Sequence, residues 1–190
     1  MLTGIGGQGI QLAARTLAVA GTNDGLQAMM FGEYGGMMRG GNSDATVVLG
    51  TQRLQTPPTV PEAWGAVAMH HEHWEGVARC LTPGGVVVVD RSVFQGDLGR
   101  DDLVVVDVEA TATATDLGHA QGASMVALGA CASAAALVSL VALDAAAAEV
   151  LPAYRSQHAA ANAEAMRVGF ELVDGPLKSA WDEQVVRAAQ

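Results

Sequence analysis

The sequence predicts a single α/β domain: a sandwich with a mostly parallel, Rossmann-like sheet and a helical C-terminal part. Three observations carry this. The chain has 190 residues, the size of one domain. Up to about residue 120, short apolar runs alternate with helical periodicity, the pattern of a parallel sheet with helices on its faces. Beyond residue 120 every periodic stretch is helical. The expected layout is one unit over 1–190, with an α/β core over 1–120 and helices over 121–190 packed on it.

Residues 2–5 read as a short first strand. Gln8 to about Asn23 reads as a helix, because Ile10, Ala13, Ala14, Leu17 and Ala20 recur on one face. "TNDG" (22–25) is a stop and turn signal, and "LQAMMF" (26–31) is the second strand. A glycine-rich loop, "GEYGGMMRGGNSD", fills 32–44. "ATVVLG" (45–50) is a strand of buried type, followed by "TQRLQTPP", read as a hairpin return ended by proline. "AWGAVAMH" (63–70) is a further strand, a helix covers 72–81, and "TPGG" turns the chain into "VVVVD" (86–90). "DLVVVDV" (102–108) is the last strand. Helices follow near 122–140, 144–152, 155–173 and 176–188. Asp144 suits the cap of the second of these, and Gly175-Pro176 punctuates the last junction.

Composition narrows the function. Half of the residues are hydrophobic, 16% are charged and 4% aromatic, so the chain buries a core and is not disordered. Ten basic residues face twenty acidic ones, for a formal net charge of -10. Lys178 is the only lysine and no basic run exists, which argues against a nucleic-acid face. Cys80 and Cys131 are far apart and no C-x-x-C pair occurs. The chain therefore cannot hold an iron–sulfur cluster or a cysteine zinc site by itself. Two buried thiols in a reducing cytoplasm are the expectation. No basic n-region with an apolar h-region opens the sequence, so a cytoplasmic location is expected. Gly122–Leu143 is uncharged and of membrane-spanning length, but it is mostly Ala, Ser and Gly without Arg or Lys anchors. It is expected as a buried core helix, with no membrane partner.

Two glycine loops carry the chemical interest. Gly4, Gly6 and Gly9 in "TGIGGQGIQ" spell G-x-G-x-x-G, which lets backbone N–H groups approach phosphate at a helix N-terminus. A dinucleotide site also needs an acid about 20 positions on, at the end of the second strand. Asp24 has the spacing but falls in the turn before that strand, and Glu33 is the only acid near its end. The second loop, "EYGGMMRGG", holds Tyr34, Gly35, Arg39, Gly40 and Gly41. Loops leaving the carboxyl ends of strands line one crevice, so the two should lie side by side. Arg39 is the anion ligand expected there, and Gln8 offers a donor and an acceptor at the helix start. The alternative is that the glycines only make tight turns and Arg39 pairs with a surface acid.

"HHEHWE" (70–75) places His71 and Glu75 four apart, as it does His70 and Trp74. Metal ligands need a fixed, pre-oriented set, and this run falls at a strand-to-helix junction. It is expected as a polar turn with capping and packing histidines, at the crevice edge. No G-x-S-x-G elbow occurs. Trp64, Trp74 and Trp181 are expected in the core or at a subunit contact.

Taken together, "GIGGQGIQLAARTLAVAG" and "YGGMMRGG" resemble the gamma subunit, or gamma domain, of the 2-oxoacid:ferredoxin oxidoreductases, of pyruvate, 2-oxoglutarate, ketoisovalerate or indolepyruvate type. "TPPTVPEAWGAVAMH", "LTPGGVVVVD", "GASMVALGACASAAALVSL" and "ANAEAMRVGFE" resemble further segments of that family, over nearly the whole chain. The resemblance implies a complex that converts a 2-oxoacid and coenzyme A to acyl-CoA, CO2 and a reduced ferredoxin or other acceptor. It implies thiamine diphosphate with Mg between alpha and beta subunits. It also implies [4Fe-4S] clusters in the beta chain and a ferredoxin-like chain or domain. The gamma part would bind none of these alone, would pack against the thiamine-bearing part, and would handle coenzyme A. The matching positions are Gly6, Gly7, Gln8, Gly9, Tyr34, Gly35, Arg39, Gly40 and Gly41, as a cofactor-binding or active-site interface without catalytic residues or metal ligands. Two departures stand out. The family's A-D is Ala63-Trp64 here, and the Asn that opens its L-G-A helix is replaced, the region reading Gly122-Ala123-Ser124. Two other readings stay open: a stand-alone nucleotide-binding protein using "GIGGQG", and a purely structural subunit.

Overall fold

The structure is a computed structural model that describes residues 1–34, 40–55, 57 and 59–181, with Tyr34 described by its backbone alone. Gly35, Arg39 and most of the helix expected over 176–188 lie outside the described residues.

Among the described residues one sheet holds six strands: β1 (Leu2–Ile5), β2 (Gln27–Tyr34), β3 (Asn42–Gly50), β4 (Ala63–Ala68), β5 (Leu81–Asp90) and β6 (Val104–Val108). Their order is β2-β3-β1-β4-β5-β6. β3 is antiparallel to both of its neighbours, and the remaining pairings are parallel. Every strand but β3 therefore points the same way, and the sheet is mostly parallel as expected. Val86–Val89 of β5 are fully buried, as a central parallel strand covered on both faces must be.

The helices are α1 (Ile10–Asn23), α2 (Trp74–Cys80), α3 (Ala110–Asp116), α4 (Ala123–Ala135), α5 (Leu140–Glu149) and α6 (Ala159–Glu171). Strand alternation divides them between two faces. Val86 and Val88 join Ile10, Ala14, Leu128 and Met166 in a large core under α1 and α3–α6. Val87 and Val89 join Trp74, Val77, Phe94 and Leu98 in a smaller core under α2 and the segment after β5. α4 is buried along its whole length, which explains its uncharged sequence. Among the described residues no helix is long and apolar enough to cross a membrane.

Several boundaries differ from expectation, each for a physical reason. β2 and β3 run into the expected glycine loop and pair Glu33 with Asp44 and Tyr34 with Ser43. Gly32 permits this, because a Cβ there would collide with the Gln11 amide, which donates to Asp44 C=O at 2.7 Å. β5 begins at Leu81, so "TPGG" lies within the strand, at an irregularity in its pairing with β4. The hairpin return expected after Gly50 is absent among the described residues of 51–62, which form no strand. The expected helix over 122–140 stops at Ala135, where Ala136 turns left-handed at φ 49°. Asp144 is not a cap: it lies exposed inside α5, and Ser139 caps that helix by accepting from Ala142 N–H at 3.1 Å. α3, with its Thr-rich sequence, has no counterpart among the expected helices.

Candidate functional site

The topology creates one crevice. The α1 connection leaves β1 toward β2 over one face, and the α2 connection leaves β4 toward β5 over the other. Between the carboxyl ends of β1 and β4 the connections diverge, which is where open α/β sheets bind ligands. The Gly6–Gly9 turn and the Met69–His73 turn flank that opening.

Gln8 holds the two turns together. Its Oε1 accepts from Ile5 N–H at 2.8 Å and its Nε2 donates to Met69 C=O at 3.0 Å. The amide expected to face a ligand is thus engaged within the protein. A Cβ at Gly4 would fall 2.5 Å from Gln8 Oε1, so glycine is required for the bracket to close. Gly7 at φ 107° and Gly9 at φ 79° occupy the left-handed region that favours glycine. Gly9 caps α1 without a side chain, and no acid occupies the first helical turn. The leading N–H groups of α1 therefore point into the crevice end of the sheet with the positive pole of the helix dipole.

The Gly40–Gly41 end of the second loop lies beside the first turn. Gly6 N–H donates to Gly41 C=O at 2.8 Å, and Gly40 turns at φ 87°. Tyr34 closes β2 opposite Ser43. Gly35 and Arg39 lie outside the described residues. Sequence reasoning missed one contributor, Ser124. It is buried at the start of α4, its Oγ has no partner, and that oxygen lies 2.7 Å from where a Gly9 Cβ would sit. The available signal was the departure at 122–124, where a family asparagine is replaced.

The histidine turn lies at the same sheet edge. The His70 and His71 rings stack with centroids 4.4 Å apart. Burial, with His71 and His73 nearby, holds the His70 imidazole below its ordinary value, and Glu72 opposes them. Among the described residues no three His, Cys, Asp or Glu side chains gather as metal donors. Asp90, fully buried at the end of β5, accepts from Ser92 N–H, Thr111 N–H and Thr111 Oγ1–H, and so locks β5 to the start of α3. Trp74 is a core residue whose Nε1 donates to Leu98 C=O at 2.9 Å, while Trp181 donates to Ala136 C=O at 2.8 Å. Trp64 is half-buried, with an unpartnered Nε1.

With that geometry in place, likeness to known proteins is informative. The pyruvate ferredoxin/flavodoxin oxidoreductase family matches residues 1–172. The 2-oxoglutarate synthase subunit KorC of Methanothermobacter marburgensis is 31% identical over 179 residues, spanning 90% of this chain and 94% of that subunit. The ketoisovalerate oxidoreductase subunit VorA of Methanothermobacter thermautotrophicus is 30% identical over 131 residues, spanning 67% of this chain but only 26% of VorA. Among solved structures, the gamma subunit of a keto/oxoacid ferredoxin oxidoreductase from Geobacter sulfurreducens superposes with TM-score 0.75 at 28% identity, over 90% of this chain and 94% of that one. The 2-oxoglutarate:ferredoxin oxidoreductase of Magnetococcus marinus shares the fold, at TM-score 0.80 and 21% identity, over 97% of this chain and 33% of the other. The chain belongs to the pyruvate ferredoxin/flavodoxin oxidoreductase family, with the fold of its gamma subunits.

Proposed function

We propose that this chain is the gamma subunit of a complex that converts a 2-oxoacid and coenzyme A to acyl-CoA, CO2 and reduced ferredoxin or a similar acceptor. Thiamine diphosphate with Mg, held by alpha and beta subunits, would supply the decarboxylation chemistry, and partner iron–sulfur clusters would carry the electrons. This chain would supply no catalytic acid or base. Its Gly6–Gly9 turn and its Tyr34–Gly41 loop would wall the approach to the reacting centre. The first-turn N–H groups of α1 and the Arg39 guanidinium would hold anionic groups of coenzyme A.

The observation that carries this reading is the Gly6 N–H to Gly41 C=O hydrogen bond. It joins Gly6 of the first turn to Gly41 of the second loop, beside a helix N-terminus that no side chain caps, at the switch point of the sheet. The test is the reconstituted complex with Arg39→Ala. The expected result is intact assembly, an unchanged KM for the 2-oxoacid, and a KM for coenzyme A raised about tenfold, the loss of roughly 1.4 kcal/mol of charge-assisted binding. An assembled variant with an unchanged KM for coenzyme A would leave the loops a purely structural role. A tagged chain recovered without thiamine- and iron-bearing partners would overturn the complex itself.

A further inference from the structure

Among the described residues, helices cover only part of the thin face of the sheet. α2 and the segment after β5 sit over β4 and β5. The helix that packs on β2 and β3 is α1, and it lies on the other face. There Leu2 and Ala45 are register partners in the large core, and a Cβ at Gly32 would meet the Gln11 side chain of α1. Side chains alternate along a strand, so Met29, Phe31 and Glu33 of β2 project to the thin face, opposite Val48, Thr46 and Asp44 of β3. These cross-strand pairs grade along the face from apolar, Met29–Val48, through Phe31–Thr46, to acidic, Glu33–Asp44. Phe31 is 40% exposed. It lines a cleft of about 110 Å³ with Met1, Thr46, Val60 and the two acids.

The acid pair lacks a countercharge. Like charges directly opposite on neighbouring strands repel. Asp44 Oδ2 accepts from Asn42 Nδ2–H at 2.8 Å, but its Oδ1 is buried without a donor. The ion pairs among the described residues are Arg79–Glu75, Arg91–Asp107, Arg100–Asp102 and Arg167–Glu164, so neither Glu33 nor Asp44 has a cation partner there. Thr3, the register partner of Asp44 on β1, is fully buried with an unpartnered Oγ1, so β1 adds a hydroxyl and no charge. Buried polar groups left unpaired within one chain point to a group supplied from outside it. An apolar strip that ends in two carboxylates also selects that group. A guanidinium forks its N–H groups over paired acceptors, stacks on an aromatic ring and lays an apolar stem along the surface. Lysine has neither the fork nor the stacking plane.

We infer that this part of the thin face docks a partner subunit, through an arginine seated between Phe31 and the Glu33–Asp44 pair and apolar side chains laid along Met29 and Val48. A second copy of the chain would bring the same acid pair and a further formal charge of -10. A subunit with a basic surface brings the complementary charge. The face is also continuous with the proposed site, because β2 runs from Glu33 straight into the Tyr34–Gly41 loop. A subunit that holds the reacting centre against that loop meets this face next. The inference rests on the function proposed above for the identity of the partner, as a subunit of that complex.

The test uses the full chain and the remaining subunits of the reconstituted complex. Glu33→Gln and Asp44→Asn keep side-chain size and each remove a charge. In the isolated chain each should leave the melting temperature unchanged or raise it, because a repulsion is relieved. Against the remaining subunits each should raise the Kd about tenfold, the loss of one charge-assisted contact. The double variant should lose most of the salt dependence of the wild-type Kd. In the assembled complex, Phe31→p-benzoylphenylalanine should crosslink on illumination to an arginine-containing peptide of another subunit. An unchanged Kd, a crosslink to a second copy of the chain, or no crosslink overturns the inference, even in a complex that uses coenzyme A. A melting temperature lowered by Glu33→Gln shows that a cation of the chain itself already answers the acids, and overturns it too. A crosslink to an arginine-bearing subunit in an assembly without thiamine or iron upholds the docking face and overturns the proposed function instead.

Discussion

Gln8 spends its whole side-chain amide inside the protein, on Ile5 N–H and Met69 C=O. Removing it deletes two partly buried hydrogen bonds, each worth about 1 kcal/mol. Gln8→Ala should therefore lower stability by about 2 kcal/mol and the melting temperature by about 4–8 °C, and an unchanged melting temperature would show the bracket to be idle. Cys131 gives a residue-scale test in pH. It is buried in α4, and desolvation pushes its thiol up from 9.0 to about 11. The folded value lies above the unfolded one, so the neutral thiol's contribution is complete below about pH 9 and is lost as pH rises toward 11. Between those limits the wild type should lose roughly 3 kcal/mol more than Cys131→Ala, measured by denaturant titration at each pH. Parallel curves for the two proteins would count against the buried, neutral thiol. Below pH 9, Cys80, half-exposed on α2, should react with iodoacetamide far faster than Cys131.

At the scale of elements, α4 and α6 touch backbone to backbone through paired glycines. A Cβ at Gly129 would collide with Met166 C=O, and one at Gly169 with Val126 C=O. Alanine favours a helix by about 1 kcal/mol over glycine. A rigid carbonyl on the facing helix cannot give way as a side chain can, so the collision wins. Gly129→Ala and Gly169→Ala should each destabilise by about 3 kcal/mol, read from chemical denaturation, and a stabilised variant would refute the close crossing. Elements like these show what a sequence discloses. α1, β4 and β6 were legible because each carries its own periodicity. Gly32 and "TPGG" read as loop because glycine has no pattern of its own, and what extends the strands there is the Gln11 amide and the neighbouring strand. The Ser139 cap was hidden inside a continuous apolar run. Its anchor is Asp24, over 100 residues earlier in sequence, which accepts from Ser139 N–H at 2.5 Å and from Ser139 Oγ–H at 2.7 Å. The candidate site divides likewise. The glycine turns announce themselves by residue type, whereas Gln8's bracket and Ser124's approach to Gly9 exist only once distant strands and helices meet.

The whole molecule is lopsided about its sheet. One face carries α1 and α3–α6 over a large continuous core, and the other carries only the seven-residue α2 and the segment after β5 over a small one. Burial scales with apolar area removed from water, so the thin face has less free energy holding it closed. Its polar ties include the Trp74 indole on Leu98 C=O, Gln95 N–H on His71 Nδ1, and the Arg100 guanidinium on Ala78 and Leu81 C=O. Segments with few buried contacts open by sub-global unfolding before the core does. In native-state hydrogen exchange, the amides of α4 and of Val87–Val89 should therefore exchange only at the free energy of global unfolding. Those of α2 should exchange at a lower free energy that depends more weakly on denaturant. Equal protection of α2 and α4 in the free chain would mean that the two faces unfold as one unit, and the thin face could not be the part that adjusts to a ligand.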